Sequence, residues 1–135
     1  MTHVPTGFQA LVPFLRMKDP RGFATFCQEA LGAEVIMMHE DDDGTIVHGE
    51  LRIEGCVLEL SETKEQWGPM TGALHLFVED PDALYAKAIE AGATSLFEPA
   101  DMPYGERSGG VTDAWGNEWY FAKVTDMKTR TTPPE

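Results

Sequence analysis

The feature that most constrains this 135-residue chain is that it contains one pattern twice. The run Leu15-Arg16-Met17-Lys18-Asp19-Pro20 returns 61 positions later as Leu76-Phe77-Val78-Glu79-Asp80-Pro81. Glu29-Ala30-Leu31-Gly32-Ala33 is answered by Glu90-Ala91-Gly92-Ala93, one residue shorter. The turn Ile53-Glu54-Gly55-Cys56 aligns with Trp115-Gly116-Asn117 at the same offset of 61. Three matches at nearly one spacing mark a duplication, so the chain folds as two copies of one supersecondary unit.

Each copy opens on an alternating stretch that predicts a strand, residues 8–17 in the first and 73–78 in the second. The Asp-Pro pair that follows starts a helix. Asp19 and Asp80 supply N-cap carboxylates for unpaired backbone N–H groups. Pro20 and Pro81 suit the first helical position, which needs no N–H. Phe23, Phe26, Cys27, Ala30 and Leu31 recur at helical spacing, as do Leu84, Tyr85, Ala88 and Ile89. Gly32 and Gly92 are placed to end the helices in the left-handed conformation. Three strands are expected next in each copy: 34–39, 45–53 and 56–61, then 94–98, 109–113 and 118–124. Turns fall at Asp42-Asp43-Gly44, Glu54-Gly55 and Trp115-Gly116-Asn117, and a Pro-bearing loop follows residue 98. The predicted architecture is α+β, one domain over 1–135 made of two tandem βαβββ units at 8–61 and 72–124. Residues 62–71 read as a linker and 125–135 as a frayed polar tail.

Charge narrows the partners. Twenty-three acids against ten Lys and Arg give a net charge of −13. Phosphate backbones are held by clustered cations, and here the cations are scattered singly, so neither nucleic acid nor an anionic membrane surface is an expected partner. The acidity either keeps the chain in solution or attracts a cationic ligand, and composition does not separate the two. No apolar run nears the roughly 20 residues of a membrane span, and residues 1–9 lack a secretory layout. Cys27 and Cys56 form neither a metal spacing nor a disulfide framework, which fits a reduced cytoplasmic setting.

With the duplication in place, the chain resembles the vicinal oxygen chelate superfamily in its glyoxalase/bleomycin-resistance/dioxygenase branch. The resemblance rests on residues 15–20, on Phe23-Ala24-Thr25-Phe26-Cys27 with Ala30-Leu31-Gly32-Ala33, and on Val111-Thr112-Asp113-Ala114-Trp115-Gly116-Asn117-Glu118-Trp119. That last segment is similar to the family's Asp-Pro-x-Gly-Asn turn, with Ala114 in the proline position. It spans roughly residues 8–124 and implies curved mixed sheets forming a cup around a small molecule, in a homodimer. The resemblance also puts the four metal-ligand positions of metal-dependent members at Val12, Glu59, Ala73 and Tyr120. Only Glu59 is a good ligand: valine and alanine have no lone pair to offer, and neutral tyrosine is a poor one. The expectation is therefore metal-independent binding of a small molecule, cationic or aromatic, with no cofactor implied. The alternative is a divalent-metal-dependent lyase, isomerase or dioxygenase using Glu59 with His48 or His75.

Strand alternation tests the placement. If Val12, Glu59, Ala73 and Tyr120 share a face, Phe14, Arg16, Val57, His75, Phe77, Glu118 and Ala122 lie on it too. The opposite set is Leu15, Met17, Cys56, Leu58, Leu60, Leu74, Leu76, Val78, Trp119 and Phe121, almost wholly apolar as a helix-covered face requires. The expected ligand-binding residues are Phe14, His48, Glu59, His75, Phe77, Arg107 and Tyr120. His75 is a candidate donor or general base. Arg107, in Tyr104-Gly105-Glu106-Arg107, is a candidate partner for Glu59 or an organiser of its own loop. Trp67, Tyr104 and Trp115 are candidate rim aromatics.

Overall fold

A computed structural model describes residues 3–130. The chain divides into two compact units, Met1–Thr71 and Gly72–Glu135. The first holds β1 (Phe14–Met17), α1 (Pro20–Leu31), β2 (Glu34–Glu40), β3 (Ile46–Ile53) and β4 (Cys56–Glu62). The second holds β5 (Ala73–Phe77), α2 (Pro81–Glu90), β6 (Thr94–Met102), β7 (Glu106–Thr112) and β8 (Glu118–Val124), and ends in the short helix α3 (Met127–Arg130). The sheets run β1-β4-β3-β2 and β5-β8-β7-β6, with the β1–β4 and β5–β8 pairs parallel and the rest antiparallel. This is the expected βαβββ unit, twice.

The helix starts follow from the Asp-Pro pairs. Asp19 accepts from the Gly22 N–H and Asp80 from the Ala83 N–H, each at 3.1 Å. Gly32 ends α1 at φ +67°, where a Cβ would be strained. In α2 the last cap is Ala91, and Gly92 takes the positive φ one residue later. Helix α1 buries Phe23, Phe26, Cys27 and Ala30 against β2, β3 and β4. The sheet side of this core is Leu15, Met17, Leu51, Ile53, Leu58 and Leu60, each at most 5% exposed. In the second unit Trp119, Phe121 and Val78 are buried, as alternation requires, while Leu74 and Leu76 are half-buried on the edge strand and Cys56 is exposed at its turn.

Boundaries differ from expectation in several places, among them β7, which begins at Glu106 rather than at residue 109. Residues 8–13 are not a strand: the Gln9 side chain pairs with the backbone of Val57 in both directions, 2.7 and 3.1 Å, in place of a ladder. Strand β6 runs through Pro99 instead of stopping at residue 98, because register shifts between Ser95 and Phe97 and between Phe97 and Ala100 place the proline where no ladder N–H is needed. Residues 62–71, read as the linker, are tied to the first unit: Arg16 and Met70 exchange two backbone hydrogen bonds of 2.9 Å and Thr63 donates to Met17. Residues 127–130 are a helical turn capped by Asp126 rather than a frayed tail; the remainder of that expectation, 131–135, lies outside the described residues.

Candidate functional site

On each sheet the face away from the helix carries the polar and aromatic side chains singled out from the sequence. In the second unit the register pairs His75 with Tyr120 and Phe77 with Ala122. The His75 ring lies 4.8 Å from Phe77 and 6.4 Å from Tyr120, and Tyr120 in turn lies 6.1 Å from Phe97. The Tyr120 and His75 planes differ by 28° and the Tyr120 and Phe97 planes by 29°, so the rings form a roughly stacked series. Phe77 is 52% exposed and the His75 side chain 42%.

Two carboxylates hold this series in place. His75 Nε2 lies 3.2 Å from Oε1 of Glu106, a residue only 2% exposed. The Tyr120 hydroxyl donates to Glu118, which shares its face. That hydrogen bond, reinforced by burial and by the carboxylate's charge, holds the Tyr120 phenol above the ordinary tyrosine range. Tyr120 is thus a protonated donor already spent on Glu118, not a metal-ligating phenolate.

In the first unit Phe14 is in register with Glu59, and its ring is 6.2 Å from that of His48. His48 Nε2 is 2.8 Å from Oε2 of Glu50, and Glu50 stands directly opposite Glu59 on the neighbouring strand. His48, Glu50 and Glu59 therefore form one group, with a ligating atom of each within 4.8 Å of the others. Glu50 lies on β3, outside the first and last strands of each unit to which the expected site residues other than His48 and Arg107 belong. His48 and Glu50 are two apart on β3, and that spacing alone puts them on one face. The structure brings Glu59 to His48 and Glu50, while His75 belongs to the other group with Glu106.

Arg107 does something else. Its Nε and Nη2 bind both oxygens of Asp82 at 2.7 and 2.8 Å, and Nη1 reaches Asp101 at 3.3 Å. Its guanidinium ties β7 and β6 to the start of α2, through acids other than the Glu106 and Asp113 that stand nearest in sequence. Of the rim aromatics, Trp67 lies under the Arg16 guanidinium at 5.2 Å and Tyr104 is 47% exposed. Trp115 sits in the turn, its backbone N–H bound to Asp113.

Val12, Ala73 and Tyr120 do not fit an ion: two carry no donor atom and the third is committed to Glu118. No helix among the described residues is long and apolar enough to cross a membrane.

The comparisons agree with the duplicated topology. An uncharacterized protein of Mycobacterium bovis is 31% identical over 121 residues, covering 82% of this chain and 80% of its own. Among solved structures, TioX from Micromonospora sp. ML1 superposes with a TM-score of 0.73 at 24% identity, over 86% of this chain and 98% of its own. A glyoxalase-related enzyme from Fulvimarina pelagi does so at 0.67 and 22%, over 85% and 87%. At those identities the likeness is one of fold. The family model for the Glyoxalase/Bleomycin resistance protein/Dioxygenase superfamily matches residues 8–121, nearly the whole of both βαβββ units, and the chain belongs to that superfamily.

Proposed function

We propose that this protein binds a small organic molecule, one with a planar ring or a cationic group, against the sheet face that carries His75, Phe77 and Tyr120. The observation that supports this reading is the ring series Phe77, His75, Tyr120 and Phe97, flanked by the carboxylates of Glu106 and Glu118. Aromatic faces carry negative potential, and they attract flat rings and cations alike. The carboxylates and the net charge of −13 add to that attraction. Binding of this kind needs no ion at Val12, Glu59, Ala73 and Tyr120.

The test is a thermal-shift and fluorescence screen of planar cations, each beside a neutral and an anionic counterpart of the same shape. Cations and flat rings raise the melting temperature by mass action, and Phe77→Ala weakens binding about tenfold, the scale of one aromatic contact plus its buried area. If none of the compounds shifts the melt, or if Phe77→Ala and Tyr120→Ala bind as the parent chain does, the proposal fails.

A further inference from the structure

The two units repeat the same strand positions, and at one of them they differ in chemistry. In the second unit Tyr120 is opposite Gly110, and Ser108 lies two residues before that glycine. Phe97 fills the space over Gly110: a Cβ there would come within 2.6 Å of the Phe97 ring. Aromatic packing thus satisfies the fold at this place. In the first unit the corresponding pair is Glu59 opposite Glu50, with His48 in the place of Ser108, and Met37, 44% exposed, stands where Phe97 does.

The fold does not demand these groups, and physically they are an awkward choice. Carboxylates directly opposite on adjacent strands repel, and the Glu50 side chain is only 12% exposed. Among the described residues no lysine or arginine bonds either one. Arg52, next along the same face, donates to the Gly7 carbonyl at 2.8 Å, Arg16 to Gly68, and Lys64 to Asp41. Among the described residues His48 is the one side chain that hydrogen-bonds the Glu50 carboxylate, and the Glu59 carboxylate has no hydrogen-bond partner. Both glutamates line a cavity of about 630 Å³ with Phe8, Val12 and His3, so a solute can reach them.

We propose that His48, Glu50 and Glu59 bind one divalent transition-metal ion. An imidazole and two carboxylates are a borderline N/O donor set, suited to Zn²⁺, Co²⁺ or Mn²⁺. Donor atoms within 4.8 Å of one another close on one ion by small side-chain rotations. The ion neutralises the facing carboxylates, and the cavity beside it leaves positions open to a solute oxygen. This site shares only Glu59 with the four positions considered above, and it does not depend on a ligand lying over His75 and Tyr120.

The experiment is calorimetric titration of the chelator-stripped, untagged 135-residue chain with Mn²⁺, Co²⁺ and Zn²⁺ in turn, each with a thermal melt. One equivalent of at least one ion binds, and EDTA reverses the rise in melting temperature. Glu50→Gln and Glu59→Gln each weaken binding about tenfold or more, at least the loss that removing an outer-shell partner of a ligand causes. His75→Gln and Phe77→Ala do not. In EDTA, Glu59→Gln melts above the parent chain because the repulsion is gone; with the ion present the order inverts. His3→Ala keeps the single equivalent. Absence of any saturable binding, binding unchanged in both glutamine variants, or binding that follows His3 instead of the glutamates would each overturn the proposal.

Discussion

The carboxylate of Asp113 accepts the indole N–H of Trp119 at 2.9 Å, and both residues are at most 5% exposed. The same carboxylate accepts the backbone N–H groups of Trp115 and Asn117 at 2.9 Å and the Asn117 amide at 3.1 Å. Asn117 in turn accepts from the Gly72 N–H, so one aspartate fixes the turn, seats the largest core side chain and anchors the start of β5. Asp113→Ala leaves several buried donors without an acceptor. Each such group costs roughly 1–3 kcal/mol, so a loss of about 4 kcal/mol is expected. That lowers the melting temperature by on the order of 10 °C or more. Asp113→Asn keeps an acceptor oxygen and loses about half as much. Equal melting of Ala and Asn variants would show that the hydrogen bonds do not carry the effect.

Glycines in the third strand of each unit admit a comparison. A Cβ at Gly109 would meet the Pro99 ring at 2.8 Å and its backbone nitrogen at 3.1 Å, neither of which yields readily. A Cβ at Gly49 would meet the ends of the Leu60 and Met38 side chains, also at 2.8 Å, and these have rotamers to use. Overpacking costs about 1–3 kcal/mol where the neighbours are rigid. Gly109→Ala is therefore expected toward the upper end and Gly49→Ala toward the lower. Urea denaturation of the two variants checks the order.

The duplication, the Asp-Pro helix starts and the strand parity were legible because each depends on neighbours in sequence. Asp19 reaches Gly22, and Glu59 and Leu60 alternate, whatever else the chain does. The misreadings came from partners distant in sequence. Residues 8–13 carry a strand's alternation, but Gln9 is 48 residues from the Val57 backbone it binds. Pro99 reads as a stop signal, and only the ladder with β7 reveals the shifts that admit it. Glu50 shares a face with His48 by local alternation, but its place opposite Glu59 comes from the β3–β4 register. Arg107 lies 25 residues from Asp82, and sequence offered nearer acids at Glu106 and Asp113.

The Arg107–Asp82 pair makes a pH prediction. The bidentate hydrogen bond from Arg107 lowers the Asp82 carboxyl below its ordinary 3.8, against some opposing desolvation. With the folded value below the unfolded one, the stabilisation is fully present above the unfolded pKa and is lost as pH falls through the folded one. The parent chain therefore exceeds Asp82→Asn in melting temperature near neutrality, and the gap closes below pH 3.8. Both side chains are more than a third exposed, so the gap is small and shrinks in salt. A gap that persists unchanged in acid would assign it to packing.

Tyr120 titrates in the opposite sense. Its hydrogen bond to Glu118, then burial, then the carboxylate's charge raise the phenol above the ordinary 10.0. The folded value exceeds the unfolded one, so the contribution is fully present below pH 10.0 and is lost as pH rises through the folded value. Ultraviolet titration should show the Tyr120 phenol ionising above the ordinary 10.0, and Glu118→Gln should return it toward that value. A planar cation bound over the ring series stabilises the phenolate, so it should also lower the Tyr120 value. The direction of this one titration therefore tests occupancy of the ring series.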